Sequence, residues 1–342
     1  MSVHPFLYPF GTEERWLSYL GHCLQWDETD LGRARSLLSR NLIPVVRGPE
    51  IAAYLGISPK LLGHMVVEPQ KYYRAFRIKK KNGKYREITA PRVFLKTIQR
   101  YILDCILAPL DVHPAAIGFR RRLSPRDGAE RHVGRKFLWN IDLKDFFPSI
   151  TKRGVLELFE RVGFPAKGAY FLAGLCCLND RLPQGAPTSP AISNLIFHEL
   201  DEAISKEAEG QSVTYTRYAD DLSFSSDKPI PGPFRRAVSR AIGGFGFTIN
   251  PDKSRLMGPR CRREVTGLTV NEKVSVPRET RRKLRARFHQ AALEPKKHTA
   301  DKAVLLGYAV WISQYHPRDG KRFREIAEAI PEGKPITRTG DS

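Results

Sequence analysis

"YTRYADDLSFSS", residues 215–226, sets two carboxylates, Asp220 and Asp221, side by side in a stretch that otherwise alternates like a pair of β-strands. An adjacent acidic pair is ordinary in a solvated hairpin loop, where Asp is at home. The flanks point further. Tyr215, Arg217, Leu222 and Phe224 mark two short strands with the acidic pair at the connecting tip. Such a tip can hold a metal ion if a third carboxylate arrives from elsewhere in the fold.

That carboxylate is offered by "WNIDLKDFFPSI", residues 139–150, where Asp142 follows directly on the apolar strand-like run "FLWNI" at 137–141. If this strand lies beside the 215–226 hairpin in one sheet, Asp142 and Asp220 converge at its edge. Hard divalent cations take oxygen ligands, and two of them ~3.5–4 Å apart stabilise the attacking and leaving oxygens of an in-line phosphoryl displacement. That is the chemistry of nucleotide addition, with Asp221 adding negative potential or a secondary contact.

Composition agrees with such a substrate. Among 342 residues, 57 Lys and Arg face 36 Asp and Glu, a net charge of +21, and the commonest partner of so basic a chain is a polyanion. Nucleic acid leads and an anionic membrane surface comes second. No apolar run approaches the ~20 residues of a spanning helix, and "MSVHPFLYPFGTEERW" has neither the basic start nor the apolar core of a secretory signal. The expectation is a cytoplasmic protein with no membrane partner. Five cysteines, Cys23, Cys105, Cys176, Cys177 and Cys261, show no C-x-x-C spacing, so they are expected reduced and mostly buried.

Along the chain, residues 1–70 read as a helical N-terminal extension, with Leu17, Leu20 and Leu24 on one face. In "GPEIAAYLGISPKLLGHMV" Gly56 can end one helix and Ser58-Pro59 can start the next. An ordinary packed pair is the reading, and a DNA-reading helix-turn-helix the alternative. "FRIKKKNGKYREI", residues 76–88, carries Asn82-Gly83 between alternating segments, a strong hairpin signal. Lys79, Lys80, Lys81, Lys84 and Arg86 make it basic enough to reach over a phosphate chain, although a solvated basic hairpin would look the same. Leu95, Ile98, Ile102 and Ile106 predict a helix packed under the sheet. A helix starts at Thr151, and a long one spans roughly 189–207 through Ile192, Leu195, Ile196, Leu200 and Ile204. Strands and helices in irregular alternation define an α+β fold. From 251 to 342 there are 21 Lys and Arg against 11 Asp and Glu. There "PRETRRKLRARFHQAAL" sets Leu284, Phe288, Ala291 and Ala292 on one helix face and Arg278, Arg281, Arg282, Lys283, Arg285 and Arg287 on the others. Such a helix suits a lobe closing on nucleic acid.

"IDLKDFF", "LPQGAPTSPAISNLIF", "YADD" and "GFTINPDKS" stand in the order and approximate spacing of reverse transcriptases, and the set most resembles the bacterial retron enzymes, over about residues 75–290. The resemblance implies a right-hand polymerase fold. Its fingers are expected at 71–136, its palm at 137–268 with a finger-like helical insertion at about 151–181, and a basic helical thumb at 269–342. It implies that Asp142, Asp220 and Asp221 form the acidic triad that holds two Mg²⁺ ions, with Mn²⁺ as a possible substitute. Phe147 matches the bulky residue under the incoming sugar, which excludes a 2′-hydroxyl, and Asp145, Gln184 and Gly185 match the dNTP pocket. Lys253 matches a palm lysine that is a possible acid for the pyrophosphate leaving group, or else a surface charge. Arg86 and Lys79 match finger residues that grip the triphosphate.

Two further features resemble the retron branch. Val265-Thr266-Gly267 is the VTG triplet associated with recognition of a structured RNA, and Arg281, Arg282 and Arg285 follow it as backbone contacts. The branch's Asn-Ala-x-x-His element appears as Gly128, Ala129 and His132, with glycine in place of asparagine. His132 either contacts RNA or is a structural histidine. The function implied is synthesis of a short single-stranded DNA (msDNA) from a structured noncoding RNA, primed from an RNA 2′-hydroxyl, within anti-phage defence. A separate effector protein and host ribonuclease H are the implied partners. The rivals are an intron-encoded or abortive-infection reverse transcriptase, and a catalytically silent RNA-binding scaffold, against which the intact aspartates count.

Overall fold

The computed structural model describes residues 12–79, 83 and 85–332. Lys80, Lys81, Asn82 and Lys84 of the basic hairpin, and residues 1–11 and 333–342, lie outside the described residues. The N-terminal part is helical: α1 (Glu13–Leu24), α2 (Glu28–Ser39), α3 (Glu50–Leu55) and α4 (Pro59–Val67). Local chemistry sets the ends. Thr12 and Asp27 cap α1 and α2 by accepting from the Arg15 and Asp30 amides, which satisfies N–H groups that a helix start leaves unpaired. Gly56 ends α3 at φ 63°, and Pro59 opens α4. Leu17 and Leu20 are buried with Trp16 and Trp26 in a small separate core, and Leu24 packs against it.

The hairpin β1 (Tyr73–Lys79) and β2 (Tyr85–Pro91) is antiparallel. It leads into α5 (Val93–Ile102) and a π-helical turn, Leu103–Leu107, which together bury Leu95, Ile98, Ile102 and Ile106. The sequence places this helix under the sheet; its contacts run instead to β2 and to a helix at 166–176, because its apolar stripe meets theirs. α6 (Pro125–Glu130) precedes the central strand β3 (Phe137–Lys144). Then come α7 (Phe146–Ser149), α8 (Lys152–Val162), α9 (Ala166–Cys176), α10 (Ser189–Ile196) and α11 (His198–Gly210). The single helix expected at 189–207 is thus two, parted at Phe197, whose ψ of −7° bends the chain. β4 (Thr214–Tyr218), β5 (Asp221–Ser226), α12 (Gly232–Gly244), β6 (Thr248–Ile249) and β7 (Arg255–Met257) complete the central unit.

The sheet runs β4-β5-β3-β6, with β7 also paired to β3. Alternation along β3 sorts its two faces. Trp139, Ile141 and Leu143 enter the main core; Asn140 and Asp142 take the other face, where Leu138 joins a second core. That second core gathers β8 (Glu264–Val265), β9 (Leu268–Thr269), α13 (Arg278–Leu293), α14 (Lys302–Ser313) and α15 (Pro317–Glu328). Phe288 and Phe323 stack at 4.1 Å in its middle. Leu284, Phe288 and Ala291 are buried as expected, whereas Ala292 is exposed, since the apolar stripe of α13 is narrower than the sequence count implies. The cysteines also depart from expectation. Only Cys176 and Cys177 are buried, while Cys23 and Cys261 are exposed and Cys105 half-buried, because only the first two fall at an inward end of α9. Among the described residues no helix is long and apolar enough to cross a membrane.

Candidate active site

The three aspartates meet where β3, β4 and β5 end together. Asp142 stands directly opposite Asp221 in the β3–β5 register, and Asp220 occupies the two-residue turn between β4 and β5. The Leu143 amide donates to the Asp220 carbonyl at 2.9 Å, which ties that turn to β3. Convergence of Asp142 with the hairpin tip thus follows from register, and Asp221 shares in it as fully as Asp220. Desolvation, and after it the neighbouring Asp142 charge, raises the Asp220 carboxyl above its ordinary value, against Lys253 and Arg86. Desolvation together with Asp220 and Asp142 pushes Asp221 up to about 7. Mutually repelling carboxylates of this kind stabilise a cation placed among them.

The donor set fits hard divalent cations, being oxygen-only and charge-strained. It is no closed cage: among the described residues no three His, Cys, Asp or Glu side chains gather as a metal site. Lys253 Nζ donates to Asp142 Oδ2 at 2.6 Å and Asn250 Nδ2 to Oδ1 at 3.2 Å. Lys253 is therefore an immediate neighbour of the acidic cluster and is 57% exposed.

Beneath the tip lies a group that strand alternation marks only as an apolar position. Arg217 is fully buried; its guanidinium grips Asp201 at 2.6 Å and reaches Asn194 Oδ1 at 3.0 Å and the Ala219 carbonyl at 3.2 Å. Tyr215 donates to the same Asp201 carboxylate, and Asn194 Nδ2 donates to the Gly118 carbonyl. Ala219 has φ 56°, a left-handed conformation costly to a residue with a Cβ, and it immediately precedes Asp220. The buried arginine holds that strained carbonyl in place. A charge inside an apolar alternation, and Asp201 inside the apolar face of α11, were the available sequence signals for this pair.

Phe147 is half-buried, its ring 5.4 Å from Phe146 and 6.2 Å from Phe119, and Phe119 in turn lies 6.1 Å from Tyr218 beside the tip. Asp145 is exposed with φ 47° at the start of α7. The Gln184 carbonyl accepts from the Thr89 amide at 2.9 Å. Gly185 has φ 131°, and a Cβ there would meet Ile88 and the Thr89 carbonyl at 2.9 Å, so this glycine serves the close approach of its loop to β2. The register splits the two finger residues. Arg86 pairs with Ile78 on the face that Ile88 turns to Gly185, while Lys79 pairs with Tyr85 and takes the opposite face. Arg86 is close enough to lower the Asp220 pKa, whereas Lys79 stands on the opposite face of the hairpin.

The proposed RNA contacts divide similarly. His132 is fully buried, bonded to Ser225 Oγ and Thr216 Oγ1 at 2.7 Å each, and burial, with Arg131 and Arg135, lowers its pKa to about 3. It bridges β4 and β5 and is a structural histidine, not an RNA contact. Gly128 is buried, with Ile117 3.4 Å from where its Cβ would stand. Val265 is likewise withdrawn into the second core. Thr266 and Gly267, at φ 49° and 79°, form the two-residue turn between β8 and β9. This tip lines a cavity of about 430 Å³ with Asp142, Asp221, Lys253, Arg255 and Arg262, the last two missed from sequence. Arg281 is half-buried and bonded to Asp319 at 2.9 Å; Arg285 leans on the same carboxylate at 3.4 Å, and Arg282 is exposed.

Comparison with known proteins identifies the class. The family profile "Reverse transcriptase (RNA-dependent DNA polymerase)" matches residues 78–308. The Retron Mx65 reverse transcriptase of Myxococcus xanthus is 35% identical over 317 residues, covering 86% of this chain and 74% of that protein. The Retron Ec86 reverse transcriptase of Escherichia coli is 36% identical over 258 residues, covering 73% of this chain and 80% of that protein. A solved apo telomerase from Candida tropicalis aligns over 65% of this chain and 61% of its own, at TM-score 0.43 and 9% identity. The chain belongs to the reverse transcriptases, and within them to the retron family. It is an RNA-directed DNA polymerase of right-hand fold; an RNA template and a DNA product are its partners, and divalent metal ions are general to its class.

Proposed function

We propose that this enzyme copies part of a structured noncoding RNA into a short single-stranded DNA (msDNA), starting from a 2′-hydroxyl of that RNA, in the cytoplasm and as part of anti-phage defence. The observation that carries the catalytic half of this reading is the register that sets Asp142 opposite Asp221 beside the Asp220 turn. The three carboxylates would hold two Mg²⁺ ions, or Mn²⁺ in their place, which when bound activate the attacking hydroxyl and offset charge on the triphosphate. This chain's residues do the rest. Arg217 fixes the tip, Arg86 and Lys253 bring positive charge to the phosphates, and Phe147 closes the floor against a ribose 2′-hydroxyl. Lys253, a donor to Asp142, would protonate the leaving pyrophosphate. Asp145, Gln184 and Gly185 frame the dNTP, the last two through their hold on β2. A separate effector and host ribonuclease H complete the proposed system.

Asp220→Asn tests the catalytic half. The purified variant should lose RNA-templated primer extension with Mg²⁺ by at least about a hundredfold and keep its RNA affinity. Near-normal extension would remove Asp220 from the reaction. Sequencing the nucleic acid that copurifies with the native enzyme tests the other half, with a 2′–5′ branched RNA–DNA molecule as the expected finding. Recovery of linear DNA alone would refute 2′-hydroxyl priming.

A further inference from the structure

On the sheet face opposite the catalytic carboxylates lies a hollow of about 620 Å³, lined by Trp139, Arg235, Arg236, Ser239, Arg240 and Ser254. Its side of the sheet follows from alternation, since Trp139 and Asp142 are three positions apart on β3 and face oppositely. The buried face of α12, Phe234, Val238 and Ile242, packs into the main core and turns the arginines outward. No carboxylate lines the hollow, and among the described residues none of the three guanidiniums enters an ion pair. The Nε of Arg235 is buried without a partner. On α8 and α13, by contrast, Arg153, Arg161, Arg281 and Arg285 are each paired with an acid. Three arginines without an ion pair around one hollow, one of them with a buried N–H that has no partner, are suited to receive an anion. Trp139 Nε1 donates to Ser254 Oγ at 3.2 Å, which leaves the serine hydroxyl proton to donate into the hollow.

We propose that this hollow is a second nucleic-acid site, which holds the phosphodiester backbone of a folded RNA segment while the catalytic face holds the end being extended. It takes from the functional reading only that the partner is RNA. Guanidinium forks match phosphate oxygens in pairs. Arg236 and Arg240, one turn apart, stand about 6 Å apart along the helix axis at its 1.5 Å rise per residue, so that they can engage separate phosphates. The hollow also adjoins the catalytic face through consecutive residues: Lys253 bonds to Asp142, and Ser254 lines the hollow. One RNA can pass around this edge and occupy both faces.

The test fills the catalytic cleft of the full chain with an RNA–DNA primer–template and then titrates a fluorescein-labelled RNA stem-loop. We expect a ternary complex, and the triple variant R235Q/R236Q/R240Q should weaken stem-loop binding at least about tenfold and flatten the slope of log affinity against log salt by roughly 2. Extension of the primer–template itself should be unchanged, and lysine at all three positions should restore most of the binding. Failure to form a ternary complex, or equal stem-loop binding by the triple variant, overturns the proposal. So does loss of a poly-glutamate peptide instead of the stem-loop, which would make the hollow a protein-docking face. A chain that binds the stem-loop in this way but does not extend an RNA-templated primer would refute the polymerase reading and leave the site standing.

Discussion

His132 stands between the two strands that carry the acidic tip, with both ring nitrogens bonded to hydroxyls and no room for a proton's charge. Its folded pKa of about 3 lies below the usual 6.5, so the fold holds the neutral ring. The stabilisation is therefore complete above pH 6.5 and is lost as pH falls from there towards 3, by about 1.4 kcal/mol per unit. Asp221, its carboxyl pushed up to about 7, gains stability as pH falls and opposes this slope in both proteins, so the His132 contribution should be read by urea unfolding at pH 7, 6 and 5 as the difference between the wild-type protein and His132→Gln; a difference that does not change with pH would place the titration elsewhere. At Phe147 the physics is bulk. Its ring lies against Phe146 and Phe119, a packing that in the proposed sugar-selecting role would oppose its swinging aside. Phe147→Ala should raise the ratio of ribonucleotide to deoxyribonucleotide incorporation several-fold at little cost in dNTP extension, and an unchanged ratio would remove Phe147 from sugar selection.

At the scale of elements, the catalytic hairpin is held from below by an ion pair that contributes through geometry. Taking Arg217 and Asp201 out of water is costly, and the pair repays it only while every donor has an acceptor. Asp201→Asn leaves the guanidinium charge uncompensated and should cost about 3–5 kcal/mol in urea unfolding. A loss below about 1 kcal/mol would show the pair to be dispensable. The β8–β9 turn carries the opposite kind of strain. Thr266 is β-branched at φ 49° in a turn that asks for asparagine or glycine, so Thr266→Asn should stabilise the protein by roughly 0.5–1 kcal/mol. The hairpins, β3 and the acidic tip were legible because period-2 alternation and turn residues are local signals. The Arg217 network was not, because a buried charge is readable only once its partner, 16 positions away on α11, is known. Likewise the opposite facing of Lys79 and Arg86 depends on a pairing register that composition does not disclose.

The described part of the molecule is built on two main cores. Ala129 and Leu138 belong to the C-terminal core although α6 and β3 lie in the central unit, and Val133 and Met257, which also precede β8 in the chain, pack against it. The sequence showed a basic helix there but not that β8 and β9 would join it, since the packing partners of Val265 and Leu268 lie beyond any local pattern. Stability should follow this division. Phe288 is fully buried against Phe323, and Phe288→Ala removes that stack and leaves a cavity, at a cost of about 3–5 kcal/mol. Because Phe288 and Phe323 both lie in the C-terminal core, we expect the loss to appear locally. Hydrogen exchange should show protection falling across residues 265–330 and holding in β3, β4 and β5. Extension should suffer in processivity, through looser grip by α13, more than in the addition of a single nucleotide at the intact acidic tip. A uniform fall in protection across β3–β5 and the C-terminal helices would mean that Leu138 and Ala129 couple the cores into one cooperative unit, and the local-loss expectation would be wrong.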